Sequence, residues 1–219
     1  MTRAAVVALL LLTSTACSTL STLHGAEPLA KGKHEFAVGV SLQTASNSFS
    51  YVGVPIPQLE FAGRWGLGQD VDFGFRAWLL GAGFDTRYRF WHDERHHLAV
   101  APAIGGFYIP SVGGSVEFHA PVLGQVDLAR WAKLSGGPRV VLRDQINPVS
   151  MPGGEKGSIA RIDVFAGGGA RLELAMGRRA WIGFSTDFYA QPARHAIPGW
   201  SLGLDFAFRK PDKAPAPNP

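Results

Sequence analysis

The chain has a single cysteine, Cys17, among its 219 residues, and it lacks any apolar run long enough to cross a bilayer as a helix. One cysteine excludes an internal disulfide. The longest apolar run, residues 4–12, is far shorter than the roughly 20 residues that a spanning helix needs. Arg interleaves with Asp and Glu and forms no basic block, although the net charge is +4. This distribution argues against a nucleic-acid partner.

The first 17 residues have the layout of an export signal. A charged start at Arg3 precedes the apolar run, and small residues from Ser14 to Ala16 lead to Cys17. We therefore expect residues 1–16 to be a signal peptide. The segment ending at Cys17 resembles the lipobox of bacterial lipoproteins, which implies that Cys17 becomes the lipidated first residue. That family usually carries Leu where Ser14 stands, so an ordinary leader peptide is the alternative.

The dominant pattern downstream is an alternation of large apolar residues with small or charged ones. Successive side chains of a strand leave opposite faces of its sheet, so this two-residue period predicts β-strands. No segment beyond the leader shows a helical period. Gly, Pro, Asn and Asp clusters separate ten predicted strands. They cover residues 33–43, 57–66, 69–79, 83–91, 97–109, 114–128, 133–144, 159–175, 180–190 and 199–209.

Three of these strands contain proline in their interior. Pro102, Pro121 and Pro138 fall in the fifth, sixth and seventh strands. Proline cannot donate to the hydrogen-bond ladder, so each position demands a bulge or a break. Eight strands are therefore an alternative to ten.

The connections also alternate in length. Tight turns at 66–69, 92–96, 129–132 and 176–179 alternate with mostly longer connections at 44–56, 80–82, 110–113, 146–158 and 191–198. Short turns on one side and long loops on the other are typical of outer-membrane barrels, whose short side is periplasmic. With an even strand count, both termini are expected in the periplasm.

The charged residues indicate which strand face meets lipid. Within the predicted strands they keep to one parity, that is, to every second position, and the apolar parity carries an acid only at Asp144, the last residue of the seventh strand. A single Arg facing lipid at mid-membrane costs about 2–4 kcal/mol, so a membrane barrel keeps its outer face free of charge. Arg also suits a confined interior, because its planar group pairs with carboxylates. We expect a lumen charge network of Glu60, Arg64, Asp72, Arg76, Asp85, Arg87, Glu117, His119, Arg139, Arg143, Asp163, Arg171, Asp187 and Asp205.

Tryptophan predicts two aromatic girdles, because its ring favours the headgroup zone. Four tryptophans fall beside the short turns and two near the longer loops. They are Trp65, Trp91, Trp131 and Trp181 on the short side and Trp78 and Trp200 on the other.

Residues 33–209 resemble the small outer-membrane β-barrel proteins of Gram-negative bacteria, in their alternation and in the final strand from Trp200 to Phe208. The resemblance implies an all-β, antiparallel transmembrane barrel whose final strand is read by the outer-membrane assembly machinery, with outer-membrane lipids as its other partner. Phe208 does not end the chain here. Residues 17–32 are expected to form a periplasmic linker, and residues 210–219 a proline-rich, flexible tail.

The predicted function is a structural or narrow-pore barrel that needs no cofactor. Eight to ten strands leave at most a narrow path, since wide channels need about 16. A lipid-modifying barrel enzyme is one alternative, for which His119 has the wrong parity and His195 lacks a serine motif. A periplasmic, lipocalin-like binder with its apolar face inward is the other. The His and acid cluster at 91–97 is expected to be a solvated turn without metal.

Overall fold

The computed structural model describes residues 25–44, 55–79, 81–109, 113–146, 161–191 and 199–209. Every element in these ranges is a β-strand, and every pairing between neighbours is antiparallel, as the alternation predicts. The strands are β1 (His34–Thr44), β2 (Pro55–Gly66), β3 (Val71–Trp78), β4 (Gly81–His92), β5 (His96–Val100), β6 (Ala103–Ile109), β7 (Gly113–Ala129), β8 (Ala132–Ile146), β9 (Arg161–Ala175), β10 (Ala180–Ala190) and β11 (Gly199–Arg209).

The sheet closes on itself into a barrel with ten positions in its wall. Neighbouring strands follow one another around the barrel, and β1 pairs with β11 to complete it. The short strands β5 and β6 share one position, because both lie between β4 and β7. They are separated only by Ala101 and Pro102. The antiparallel barrel of ten strands is thus confirmed, and the eight-strand alternative is wrong.

The three prolines disturb the ladder to different extents. Pro102 lies in the break between β5 and β6, where no ladder donor is needed. Pro121 pairs with Arg139, and the β7–β8 register resumes only at Gly124 and Gly136. Strands β7 and β8 nevertheless continue past their prolines. One predicted break therefore occurs, and the other two prolines are absorbed as local irregularities.

The two ends of the barrel differ in their connections. We call the end that carries the tight turns β2–β3, β4–β5, β7–β8 and β9–β10 the near end; β1 begins and β11 finishes there. We call the opposite end the far end. The predicted loops at 44–56, 146–158 and 191–198 fall largely outside the described residues, as do the predicted signal peptide, Cys17, His195 and the tail at 210–219.

The apolar residues of the strands face outward. Phe36, Phe61 and Leu204 each leave about 40–50% of their surface exposed, although all lie in the middle of the sheet. On the opposite face of the same strands, Glu60 and Asp205 are almost fully buried inside the barrel. The lipocalin-like arrangement, with its apolar face inward, therefore does not describe this barrel. The described residues also contain no helix long and apolar enough to span a membrane.

The prediction of two tryptophan girdles is wrong for two residues. Trp65, Trp91 and Trp131 are exposed near the near end, as expected. Trp181, in contrast, packs inside against a cluster that includes Ala37 and Ala207, and the guanidinium of Arg209 lies 5.0 Å from its ring centre. The Trp78 ring also lies inside, against Gly81. Both tryptophans occupy the same alternate positions as the charged residues of their strands. Their side chains therefore face the interior, although both residues lie near the end of a strand.

Candidate functional site: the barrel interior

A first group of ion pairs occupies the interior beside β2, β3 and β4. The Arg64 guanidinium bonds to both Asp72 and Asp85, and Arg87 also bonds to Asp72. Arg76 lies 4.0 Å from the second oxygen of Asp85. Arg64 and Asp72 are buried to within 1% of their surface. Such burial is tolerable only because each charge has an opposite partner in bonding distance.

A second group lies beside β9, β11 and β1. Arg171 bonds to Asp205 through 2.8 Å and to Glu173 through 2.8 Å. Arg209 bonds to Glu173 through 3.1 Å and also to Glu35. Strand β10 lies between β9 and β11, so Arg171 reaches past it, and Gly183 makes room. A Cβ at Gly183 would lie 2.3 Å from the Arg171 guanidinium.

The segment just before β1 crosses the near end of the interior and is held on both sides. On one side, the Gly25 carbonyl accepts a bond from Arg87 of β4, and the Leu29 amide donates to Asp72 of β3 through 2.8 Å. On the other side, the amides of Ala26 and Glu27 donate to the Gln125 side chain of β7, through 2.9 and 3.2 Å. We call residues 25–30 the crossing segment.

The crossing segment is also packed. Ala26 has no exposed surface and contacts Ala99 and Leu123 of the barrel wall. At the other end of the segment, a Cβ at Gly66 would lie 2.0 Å from the Ala30 carbonyl oxygen. Only glycine permits this approach of two backbones. The predicted linker over residues 17–32 does not anticipate these contacts, and no charge pattern within the crossing segment indicates them.

Glu27 anchors the segment electrostatically. Its carboxylate bonds to Lys133, which also lies 4.0 Å from Asp127. Burial opposes ionisation of Glu27, but the ammonium of Lys133 outweighs it and holds the pKa of this carboxyl below its usual range. The negative charge of Glu27 in the crossing segment is therefore neutralised by Lys133 of the barrel wall.

Glu27, Asp127 and His97 also form the one grouping of metal-ligating side chains among the described residues, with ligand atoms within 4.8 Å of one another. The surroundings do not suit a metal. Arg89, which can only donate, lies 3.3 Å from His97 Nδ1, so this nitrogen accepts and Nε2 carries the proton. Nε2 faces Asp127 at 3.7 Å. Because Lys133 already pairs with Glu27, and Asp127 accepts a bond from Gln125 through 2.8 Å, these groups serve the crossing segment.

The far half of the interior combines arginines with aromatic rings. Arg139 bonds to Asp187 through 3.0 Å and lies 5.6 Å from the ring centre of Tyr189. Asp187 also accepts a bond from Ser201 through 3.1 Å. Tyr189 is almost fully buried and belongs to a cluster with Phe165. The alternation of large apolar residues with small or charged ones does not predict aromatic rings on the interior face.

A second far-half group surrounds Glu117. Arg143 donates to it through 2.6 Å and lies 4.9 Å from the ring centre of Phe165, while His119 Nε2 lies 3.2 Å from the other carboxylate oxygen. The structure brings Arg143 to Glu117 and pairs Arg139 with Asp187. His119 is buried inside the barrel, so its imidazole does not reach the lipid-facing surface.

All fourteen predicted lumen residues lie in strands on the interior face. Arg76 and Arg143 are half-buried, and the other twelve are buried. Glu60 and Asp163 also have polar contacts. Glu60 accepts a bond from Ser41 through 2.7 Å, and Asp163 accepts one from Gln191 through 2.8 Å. The described part of the chain thus places these residues together on the interior face, each near a polar or charged neighbour.

The turn at the end of β4 is organised by Asp93. Its carboxylate accepts bonds from the amides of Arg95 and His96, each 2.8 Å long, and these bonds lower the pKa of Asp93 to about 2. The His96 ring contacts the same carboxylate at 3.0 Å, whereas the His97 ring points inward. The His96 and His97 imidazoles therefore point to different places, although the His92 ring stacks on that of His97 with the ring centres 6.3 Å apart.

Comparisons of the whole chain find likeness in structure only. No protein-family model and no curated protein matches the sequence. Among solved structures, the translocator domain of the autotransporter NalP from Neisseria meningitidis matches with a TM-score of 0.50 at 10% identity, over 94% of this chain and 96% of that one. Neisserial surface protein A matches with a TM-score of 0.39 at 12% identity, over 82% of this chain and 98% of that one.

A third match is the N-terminal β-barrel domain of OprF from Pseudomonas aeruginosa, with a TM-score of 0.34 at 16% identity, over 83% of this chain and all of that one. At these identities the likeness concerns the fold alone. The chain has the fold of Gram-negative outer-membrane β-barrels, as the alternation of its strands predicts.

Proposed function

We propose that this protein is a structural outer-membrane barrel whose interior is closed to solutes. The observation that carries the proposal is the crossing segment, which runs from the β2–β4 side of the near end to β7 and β8. Backbone groups at Gly25, Ala26 and Leu29 are bonded to the wall at both sides. A solute that entered from the far end would meet this segment before it reached the near end.

The charges inside the barrel support closure. An open aqueous pore leaves its lining charges hydrated, but Arg64, Asp72 and Asp205 are buried to within 1% of their surface and paired with one another or with neighbours. Removing such a pair from water is costly, and close opposite charges with further hydrogen bonds offset that cost. The interior thus resembles a packed polar core, which is the usual state of small barrels.

The outward apolar belt supports a place in the outer membrane, with the tight turns and both termini of the barrel in the periplasm. The partners we propose are outer-membrane lipids and the assembly machinery that reads the final strand, β11. We also propose that residues 1–16 are removed and that Cys17 is lipidated. Fatty-acid labelling tests this last point: Cys17→Ala should abolish the label, and unchanged labelling would reject lipidation.

Planar-bilayer recording tests the proposed closure. The purified chain should shift its gel migration on heating and resist carbonate extraction, which together establish insertion. Inserted protein is then expected to give no discrete conductance steps at moderate voltage. Reproducible steps from protein that passes both insertion tests would contradict a closed barrel and favour the narrow-pore alternative, in which the crossing segment leaves the interior.

A further inference from the structure

The four tight turns of the near end differ in charge from one side of the barrel to the other. The β2–β3 and β4–β5 turns carry all the acids, Asp70, Asp93 and Glu94. The β7–β8 and β9–β10 turns carry only bases, Arg130, Arg178 and Arg179. Since β8 pairs with β9, the two basic turns are neighbours, and the Ala175 amide donates to the Trp131 carbonyl through 2.8 Å.

These two turns also present apolar side chains. Trp131 is 62% exposed and Met176 is 59% exposed, and both lie next to the exposed arginines. Leu128 and Leu134 continue the apolar surface from the turns into the outward face of β7 and β8. The patch therefore stands where the lipid-facing belt meets water. We call Arg130, Trp131, Met176, Arg178 and Arg179 the basic rim.

The basic rim differs from the arginines of the interior. Within the described residues, none of its three guanidiniums makes an ion pair or a hydrogen bond to a carboxylate, whereas Arg64 and Arg171 each bond to two. Arg donates two parallel bonds to a phosphate as readily as to a carboxylate, and tryptophan favours the headgroup zone of a bilayer. A cationic, amphipathic surface at this depth has the chemistry that complements an anionic headgroup.

We infer that the basic rim binds the headgroups of anionic phospholipids in the leaflet at the near end. The inference rests on the proposed membrane location but not on the proposed closure of the lumen. The opposite turns would not share this preference, because Asp93 and Glu94 outnumber Arg95 there. The barrel would then hold anionic lipid on one side of its circumference and leave the other side to neutral lipid.

Spin-labelled lipid tests the inference. The full chain is inserted into phosphatidylcholine membranes that contain a trace of spin-labelled phosphatidylglycerol or phosphatidylcholine, and the motionally restricted fraction gives the relative association. A basic residue near a membrane surface contributes about 1 kcal/mol of attraction, so we expect the wild type to prefer phosphatidylglycerol by roughly fivefold or more. The variant Arg178→Gln/Arg179→Gln should lose most of this preference.

A charge-matched control is Lys31→Gln/Arg95→Gln, which removes two bases from the near end outside the basic rim. It should keep the preference for phosphatidylglycerol. Equal losses in the two variants would reject a localised site, and an unchanged preference in Arg178→Gln/Arg179→Gln would overturn the inference. Soluble glycerol phosphate should not compete, and effective competition would indicate a free-phosphate site instead. The heat shift confirms that each variant is inserted, and conductance, recorded separately, reports on closure alone.

Discussion

The near and far halves of the barrel interior use the same residue types, and arginines lie over aromatic rings in both, but the halves differ in how their charges share partners. In the near half, Arg64 bridges Asp72 and Asp85, and Asp72 also accepts the Leu29 amide of the crossing segment. In the far half, Arg139 and Arg143 each lie over an aromatic ring and bond to a carboxylate. Charges that share partners depend on one another, so the near half should respond to mutation more strongly than the far half.

Arg64→Ala is expected to have the largest effect. It leaves Asp72 and Asp85 buried with one cation fewer, and breaking a buried ion pair from one side typically costs about 3–5 kcal/mol. Urea unfolding in lipid vesicles, followed by tryptophan fluorescence, measures the loss. Arg64→Met is the control for volume and should also destabilise the barrel, because the two carboxylates remain. A loss below about 1 kcal/mol in both variants would mean that water reaches these carboxylates.

Arg143→Ala should cost less, about 1–3 kcal/mol. Glu117 keeps its contact with His119, and Arg143 is only half-buried at its position in the far half. The same urea titration gives the comparison directly. A loss equal to or greater than that of Arg64→Ala would break the proposed distinction between the two halves.

Gln125→Ala should weaken the crossing segment by about 1–2 kcal/mol, because two backbone amides lose one acceptor inside the barrel. Hydrogen exchange at the amides of Ala26 and Glu27 should accelerate. Gln43→Ala, which removes a buried amide from the wall at β1, is the matched control and should leave both amides protected. Fast exchange at these amides in the wild type would show that the segment is not held as described.

The pH dependence of the crossing segment should follow Glu27. Its pKa is lowered in the folded state, so its contribution is complete above the range in which glutamate normally titrates and is lost as the pH falls through the lowered pKa. Exchange at the Ala26 amide, corrected for intrinsic rates, should therefore rise only in acid. Glu27→Gln should remove this pH dependence, and persistence of the same profile in that variant would assign it to another group.

Much of the wall could be predicted from the sequence, because a period of two fixes both the strands and their faces. The predicted strands at 180–190 and 199–209 have the bounds of β10 and β11. A charged residue on the lipid face is so costly that charge parity alone identifies the interior. Trp78 and Trp181 show that alternation along the strand predicts the direction of a side chain more reliably than closeness to a turn does.

The pairing inside the barrel could not be predicted in this way. Arg171 bonds to Asp205 past strand β10, and this choice depends on barrel curvature and on the space above Gly183. The crossing segment was missed for another reason. Its contacts use backbone amides and carbonyls, such as those of Gly25 and Ala26, which leave no signature in the residue types.

Cysteine labelling at position 26 tests the central claim most directly. In a Cys17→Ser background, Ala26→Cys places a thiol where the wild-type side chain has no exposed surface. A water-soluble maleimide should modify it only after unfolding, while Lys31→Cys, at an exposed position, should react at once in the folded barrel. Rapid labelling of Ala26→Cys in folded, inserted protein would show that the crossing segment does not close the barrel.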